Sequence, residues 1–495
     1  MNGVFPFPWL SLLLALPLIG ALLCLALRRS AADCRWIALA VTSSVLALVV
    51  WLFATRDGMT AGWLLREDYP WIASFGIRYT LALDGLSLLL LLLSAFLLVL
   101  SVLISWPNER HAPLFFSLLL TMETGILGVF LATDLILFYL FWEVMLIPMF
   151  FLIGIWGHAR RIYAAVKFFL FTLAGSLLML LAIISLYSLH GAESGDYTFA
   201  LEALRDTAVP DTYAPWLFGA FFLAFAVKVP LVPMHTWLPD AHTEAPTAGS
   251  VILAGLLLKT GVYGLLRFGF PLFPDMARAS LPFLAALALI GIFYAAWIAY
   301  AQQDAKRLIA YSSVAHLGFV ILGIAAWNTT ALEGSILQMV NHGITTGALF
   351  AMVGMIDDRA RTRNLDELGG LWGRVPVLSA FFLFFALASL GLPGLNNFTG
   401  EILILLGTFS VHPLWGAVAF AGVVFAAIYT LRLVQETLWG PAKGAEPWLD
   451  LTVREGLILI PLAILVVWLG LYPAPFLEPL HEPVRLLLAT QGGLP

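Results

Sequence analysis

The stretch from Gly85 to Asn108, "GLSLLLLLLSAFLLVLSVLISWPN", holds no charged residue. A helix needs about 20 apolar residues to cross a hydrocarbon core about 30 Å thick, and this segment is long enough by itself. Lipid offers the backbone no hydrogen bonds, so spanning segments are helices or a closed barrel. Barrel strands would show short alternating segments. Here the runs are long and apolar on all sides, which makes them helices. The chain as a whole agrees: 61% of its 495 residues are hydrophobic and 11% are charged, against about 25% charged in soluble domains. The fold class is an all-α integral membrane protein.

Hydropathy places about fourteen spans over 7–27, 36–55, 82–105, 113–131, 134–155, 163–188, 215–238, 248–270, 280–301, 307–326, 331–354, 375–410, 415–438 and 453–472. The seventh and twelfth read as broken. The basic pair Arg28–Arg29 follows the first apolar run rather than preceding it, which favours a retained first helix over a cleaved signal. Lysines and arginines of the short loops set orientation. They favour the side holding Arg28, Arg29, Arg35, Arg110, Arg160, Arg161, Lys306, Arg307, the 359–374 loop, Lys443 and Arg454 by about two to one. Both termini are then expected outside, on the side away from the cytoplasm.

Some chemistries are not expected. Cys24 and Cys34 have no metal-ligand spacing and form no disulfide framework. No glycine-rich nucleotide loop or cysteine cluster is visible, so neither cofactor nor metal is expected in this chain. The net charge of −5 gives no reason to expect nucleic acid.

The informative residues are ionisable groups deep in apolar runs. Such charges are expensive at mid-bilayer and need a partner, water or a functional reason. Glu143 lies near the middle of "LILFYLFWEVMLIPMFFLIGIWG", and Glu123 in "LLTMETGILGV". Lys228, in "FAVKVPLVPMHTWLPDAHTEAPTAGS", is the natural partner for Glu143. Pro230 lacks an N–H and clashes with the carbonyl four residues back, and Pro233 repeats the effect. The carbonyls around 226–230 are therefore expected to be free, as at transporter ion sites. Lys259, with Thr260 and Tyr263 as polar neighbours, is a second central lysine. Lys167 lies near an end and suits snorkelling equally well.

His316 and His342 follow on successive spans, and histidine suits a proton relay. Glu401 comes just after the break "GLPGLNNFTGE". Paired interruptions in two halves point to a transporter repeat. The row Glu123, Glu143, Lys228, Lys259, His316, His342 and Glu401 suits proton transfer along the membrane plane. The tail "HTWLPDAHTEAPTAGS" reads as a cytoplasmic turn, with His235, Asp240, His242 and Glu244 as proton-uptake or capping groups. The charged loop Asp357–Arg374 sets topology or docks a neighbour. Embedded amides are few, mainly Gln338, Asn341, Asn396 and Asn397, which argues against a solute carrier.

The segments "FYLFWEVMLIPMFFLIGIWG", "FAVKVPLVPMHTWLPDAHTEAPTAGSVILAGLLLKTGVYGLLRF", "RLIAYSSVAHLGFV", "LQMVNHG" and "GLPGLNNFTGE" resemble those of the antiporter-like subunits of respiratory complex I. The "FWE…LIP" pattern and Glu401 favour the M type, since L and N relatives are expected to carry lysine at that glutamate.

The resemblance implies two inverted five-helix repeats, spans 4–8 and 9–13. The boundaries are then 1–111 for the first three helices, 112–272 and 273–440 for the repeats, and 441–495 for the last helix and tail. It implies a coupling pair of Glu143 and Lys228, a central Lys259, a path through His316 and His342, and an exit at Glu401. Partners would be L-type and N-type membrane neighbours and the bilayer. Flavin mononucleotide, iron–sulfur clusters and quinone would reside in other subunits. Subunits of multi-subunit sodium/proton antiporters and membrane-bound hydrogenases share the pattern and form the alternative.

Overall fold

The computed structural model describes residues 7–26, 30–55, 62–441 and 448–489. Arg28, Arg29 and Lys443, used above for orientation, lie outside the described residues. The helices that matter here are α1 Trp9–Ala26, α2 Ala31–Ala54, α3 Gly85–Ile104, α4 Ala112–Leu131, α5 Leu135–Trp156, α6 Arg161–Ser194, α7 Ala214–Lys228, α8 Trp237–Glu244, α9 Thr247–Leu272, α10 Pro274–Tyr300, α11 Ala305–Ala326, α12 Thr329–Ala360, α13 Pro376–Ser389, α14 Asn396–Val411, α15 Pro413–Leu438, α16 Val453–Leu471 and α17 His481–Ala489. Among the described residues, 12 helices are long and apolar enough to cross a membrane. The expected seventh and twelfth spans are each two shorter helices, α7 with α8 and α13 with α14.

Side chains close the helix starts where exposed N–H groups need acceptors. Asp84 caps α3 through Ser87 N, Asp134 caps α5, Asp304 caps α11 and Asn328 caps α12. Asp134 also accepts Arg78 N at 3.1 Å and so ties α5 to a hairpin. That hairpin, β1 Leu65–Ile72 with antiparallel β2 Ile77–Leu83, was not expected. Its short strands lie between long apolar helices and are easily passed over in a hydropathy trace.

The centre of the bundle is α9, α11 and α12. The apolar middles of the first and third are wholly buried, and that of α11 is nearly so. Lipid-facing surfaces fall to helices such as α6 and α15, where Leu181 and Phe420 are exposed. Close approach of α12 and α14 depends on glycine, as is common between membrane helices. A Cβ on Gly407 would meet Ala331 N at 2.6 Å, and one on Gly334 would meet Leu403 Cβ at 2.7 Å.

Both interruptions are held by side chains. After α7, Leu231 N reaches Ala226 O at 2.8 Å and Trp237 Nε1 reaches Val227 O at 2.8 Å. The carbonyls at 226 and 227 are thus occupied, not free as expected. At the other break, Asn341 Nδ2 donates to Asn396 O (2.7 Å), and Asn396 Nδ2 donates back to Asn341 O (3.0 Å). This reciprocal pair pins the start of α14 to α12. The stretch expected as a cytoplasmic turn is largely helical, as α8, because the backbone after Pro233 re-enters helix one turn later.

Candidate functional site

The buried polar row is continuous in the second half of the molecule. His316 on α11 places Nδ1 2.9 Å from Glu401 Oε1 on α14. Gln338 Nε2 on α12 donates to the same carboxylate oxygen at 3.1 Å. The other imidazole nitrogen, His316 Nε2, meets Tyr429 OH of α15 at 3.2 Å. Both nitrogens of this ring are therefore engaged, which fixes its orientation. The rings of His316 and His342 lie 5.8 Å apart between centroids. His342 Nδ1 then sits 2.7 Å from Lys259 Nζ on α9, and that amine also donates to Ala254 O. Three helices with buried middles and a broken one thus carry Lys259, His342, His316 and Glu401 in sequence, hydrogen-bonded at both ends and with the two rings 5.8 Å apart between them.

The wide turn Leu253–Leu257 lies just before Lys259. Such π-type turns leave a carbonyl without its usual partner and are frequent at functional sites. Ala254 O lies in that turn, so the lysine occupies an acceptor that the local geometry exposes. Thr260 and Tyr263 do not serve Lys259 as expected: Thr260 Oγ1 donates to Leu257 O, and Tyr263 OH donates to Phe130 O.

The first half is arranged differently. Glu143 is half-buried, and Ser176 Oγ on α6 donates to its Oε1 at 2.6 Å. Lys228 is fully enclosed, with Nζ over the Trp142 ring at 5.2 Å and the Phe168 ring at 5.7 Å. These two residues, expected as a coupling pair, do not approach each other to within salt-bridge distance in this structure. Serine holds the acid, and cation–π contacts hold the amine. Lys228 still abuts α9, because a Cβ on Gly261 would meet Lys228 Cβ at 2.9 Å. Glu123 is completely buried on α4, and neither carboxylate oxygen has a hydrogen-bond partner among the described residues.

A third group lies at the face that bears Arg160 and Lys306. His242 is wholly buried and stacked on Phe350 at 4.8 Å, and His235 is buried against Tyr294. Neither belongs to an exposed turn. Asp240 accepts Lys167 Nζ at 2.7 Å and lies 3.5 Å from Arg307. That pair gives Lys167 a fixed place instead of a snorkelling one. Glu244 accepts Arg160 N at 2.8 Å. Lys306, without an expected role, is buried and donates to Ala245 O at 2.5 Å. The Asp357–Arg374 segment is not a free charged loop: Arg359 holds Glu455 at 2.7 Å, and Arg363 reaches Asp304 at 3.4 Å.

Tyr429, Ser176 and Trp142 escaped sequence reasoning. Each is a common residue in an apolar helix, and nothing local marks it. Gln338 was noticed only as an embedded amide, although its rarity there was a usable signal.

A multi-pass helical bundle whose enclosed helices carry a lysine, two histidines and a glutamate in mutual reach belongs to the ion-translocating class of membrane proteins. The chain is a member of the NADH:quinone oxidoreductase/Mrp antiporter transmembrane family, whose pattern matches residues 132–428. It is 48% identical over 487 residues to NADH-quinone oxidoreductase subunit M of Pseudomonas aeruginosa, covering 95% of each chain. It is 44% identical over 493 residues to the subunit M of Escherichia coli K12, covering 96% of each. Among solved structures, a chain of respiratory complex I from Thermus thermophilus matches with a TM-score of 0.89 at 33% identity, over 98% of this chain and all of that one. A chain of the Mrp complex from Dietzia shares the fold, with a TM-score of 0.86 at 20% identity over 98% of this chain and 99% of that one.

Proposed function

We propose that this chain is a proton-translocating membrane subunit of an NADH:quinone oxidoreductase. Redox chemistry belongs to other subunits, and this one moves protons. The observation that carries it is the buried sequence Lys259–His342–His316–Glu401, with neighbouring groups at 2.7 and 2.9 Å at its two ends and the rings 5.8 Å apart between them.

Each member can hold or pass a proton. A lysine ammonium at Lys259 donates to His342 Nδ1, which then presents its proton on Nε2. No hydrogen bond joins the two rings, so transfer to His316 requires a bridging water together with release of the Tyr429 contact at Nε2. His316 passes its Nδ1 proton to Glu401 and is reset through Nε2, beside Tyr429. The input is charge at Glu143 and Lys228. A positive charge arriving near Lys228 disfavours the ammonium there and, through α9, at Lys259. Glu143 and Lys228 act in this scheme through a closing movement, since Ser176 and Trp142 hold them apart at rest. Glu123 stands aside from the row and serves as an auxiliary acid.

The two interrupted spans support a division into repeats at 112–272 and 273–440, one interruption in each. The membrane neighbours are L-type and N-type relatives, and the hairpin face with both termini is the periplasmic one. Flavin, iron–sulfur clusters and quinone belong to further subunits of the complex.

The test is proton pumping by the assembled enzyme in membrane vesicles. Lys228→Ala or Lys259→Ala should cut pumping at least about tenfold, a loss of about 1.4 kcal/mol or more of coupling. Normal pumping with normal NADH turnover in both would refute the proposal. A chain working as a sodium/proton antiporter would instead show sodium-dependent flux without NADH.

A further inference from the structure

Lys259, Tyr263 and Arg267 follow one another at four-residue intervals on α9, so they share a face of the helix. Lys259 belongs to the proposed relay. The other two lead from it towards the hairpin face and end at a cavity of about 410 Å³ lined by Trp63, Asp84, Glu202, Arg205, Arg267 and Val484. Followed outward, these residues lead from the relay to that surface, and an open path there would let a proton escape.

The residues along it are arranged to close it. Tyr263, fully buried, donates its single phenolic proton to Phe130 O at 2.9 Å. Its oxygen accepts Arg267 Nε at 3.2 Å and lies 3.2 Å from Ser87 Oγ. A phenol whose proton and lone pairs are all engaged is a poor carrier. Arg267 Nη2 donates to Asp84 Oδ2 at 2.5 Å and contacts Ser87 Oγ at 3.5 Å, while the guanidinium stacks over Trp63 at 4.9 Å. The other oxygen of Asp84 caps α3 through Ser87 N at 2.9 Å. A guanidinium keeps its protons under all physiological conditions. It therefore stands at the cavity floor as a cation that holds its own protons and, through its ion pair, occupies the Asp84 carboxylate; fixed cations exclude protons in other pores.

We infer that Arg267, braced by Asp84 and Tyr263, is an electrostatic plug that seals the relay at Lys259 from the hairpin face and so forces its proton on to His342. Arg267 is a positioning and barrier residue, not a carrier. The inference rests on the relay proposed above.

The test uses the assembled complex in liposomes holding a pH-sensitive dye, with an imposed potassium diffusion potential and no NADH. Arg267→Met should raise passive proton flux roughly tenfold over the unaltered complex, because it removes the cation and leaves Asp84 as an unpaired carboxylate that can take up a proton. Arg267→Lys should stay tight. The double variant Arg267→Met, Lys259→Ala should return to background, which general damage to packing would not do. If the methionine variant fails to assemble, Arg267→Gln, which keeps a hydrogen-bonding side chain without charge, takes its place with the same expected outcomes. A tight Arg267→Met or Arg267→Gln overturns the plug, and so does a leak that persists without Lys259. Normal NADH-driven pumping in Lys259→Ala alone would instead strike the relay, so the two failures are distinguishable.

Discussion

At the scale of single residues, chemistry at this site is decided by who holds whom. Glu401 receives two donors, from His316 and Gln338, on the same oxygen. Replacing it by glutamine keeps the size and a carbonyl acceptor but ends proton exchange. Glu401→Gln should assemble normally and lose pumping, as read from dye quenching in vesicles. Tyr429→Phe removes only the hydroxyl beside His316 Nε2. It should slow pumping a few-fold, because a neutral hydrogen bond contributes about 1 kcal/mol. Equal effects of the two would contradict the ordering. Glu123 is the opposite case, a buried acid without a partner among the described residues. Leaving such a group unsatisfied costs about 1–3 kcal/mol, so Glu123→Leu should raise the midpoint of thermal inactivation by a few degrees and spare most pumping. A fall in midpoint would mean that the carboxyl is satisfied in the native complex.

At the scale of elements, hydropathy and helix breakers made most spans legible, and the two interruptions could be read from Pro230, Pro233, Pro393 and the adjoining glycines and asparagines. Which groups meet across helices was not legible. A residue's type shows that Lys228 must be accommodated, but only packing shows that Trp142 and Phe168 do so while Ser176 takes Glu143. The hairpin and α8 were missed because local propensity in short polar stretches is easily overridden by tertiary contacts. Close contact of α7 and α9 is itself testable. A Cβ on Gly261 would lie 2.9 Å from Lys228 Cβ and 2.9 Å from Val229 N, so Gly261→Ala must push the two helices apart. Coupled turnover should drop several-fold. Gly291→Ala, where nothing lies within 4 Å, should be silent. The hairpin has its own signature. Partial burial works against the charged form of Asp68, but hydrogen bonds from Arg78 and Thr80 and the charges of Arg78 and Arg66 outweigh it and hold its pKa below 3.8. A carboxylate depressed in the fold stabilises above its unfolded value and loses that contribution as pH falls through the folded one. Amide protection in β1 and β2, taken as exchange corrected for its intrinsic pH dependence, should therefore be unchanged between pH 5 and pH 8 and fall only in acid below about 3.8. A loss of protection near neutrality would contradict the assignment.

At the scale of the whole molecule, the row matters because it crosses from one interrupted half to the other. Lys259 lies on α9, which follows the first interruption, and Glu401 lies on α14, just after the second. If each half were a channel of its own, Lys259→Ala and Glu401→Gln would act independently, and their losses would multiply in the double variant. If protons pass in series through His342 and His316, either change already stops the flow, and the second adds little. Groups that act as a unit are non-additive in this way. The double variant is therefore expected to pump within about twofold of the worse single one, measured as protons moved per NADH oxidised in vesicles of equal enzyme content. Multiplied losses would mean that the 5.8 Å spacing between the two histidine rings is a boundary between two routes and not a step within one.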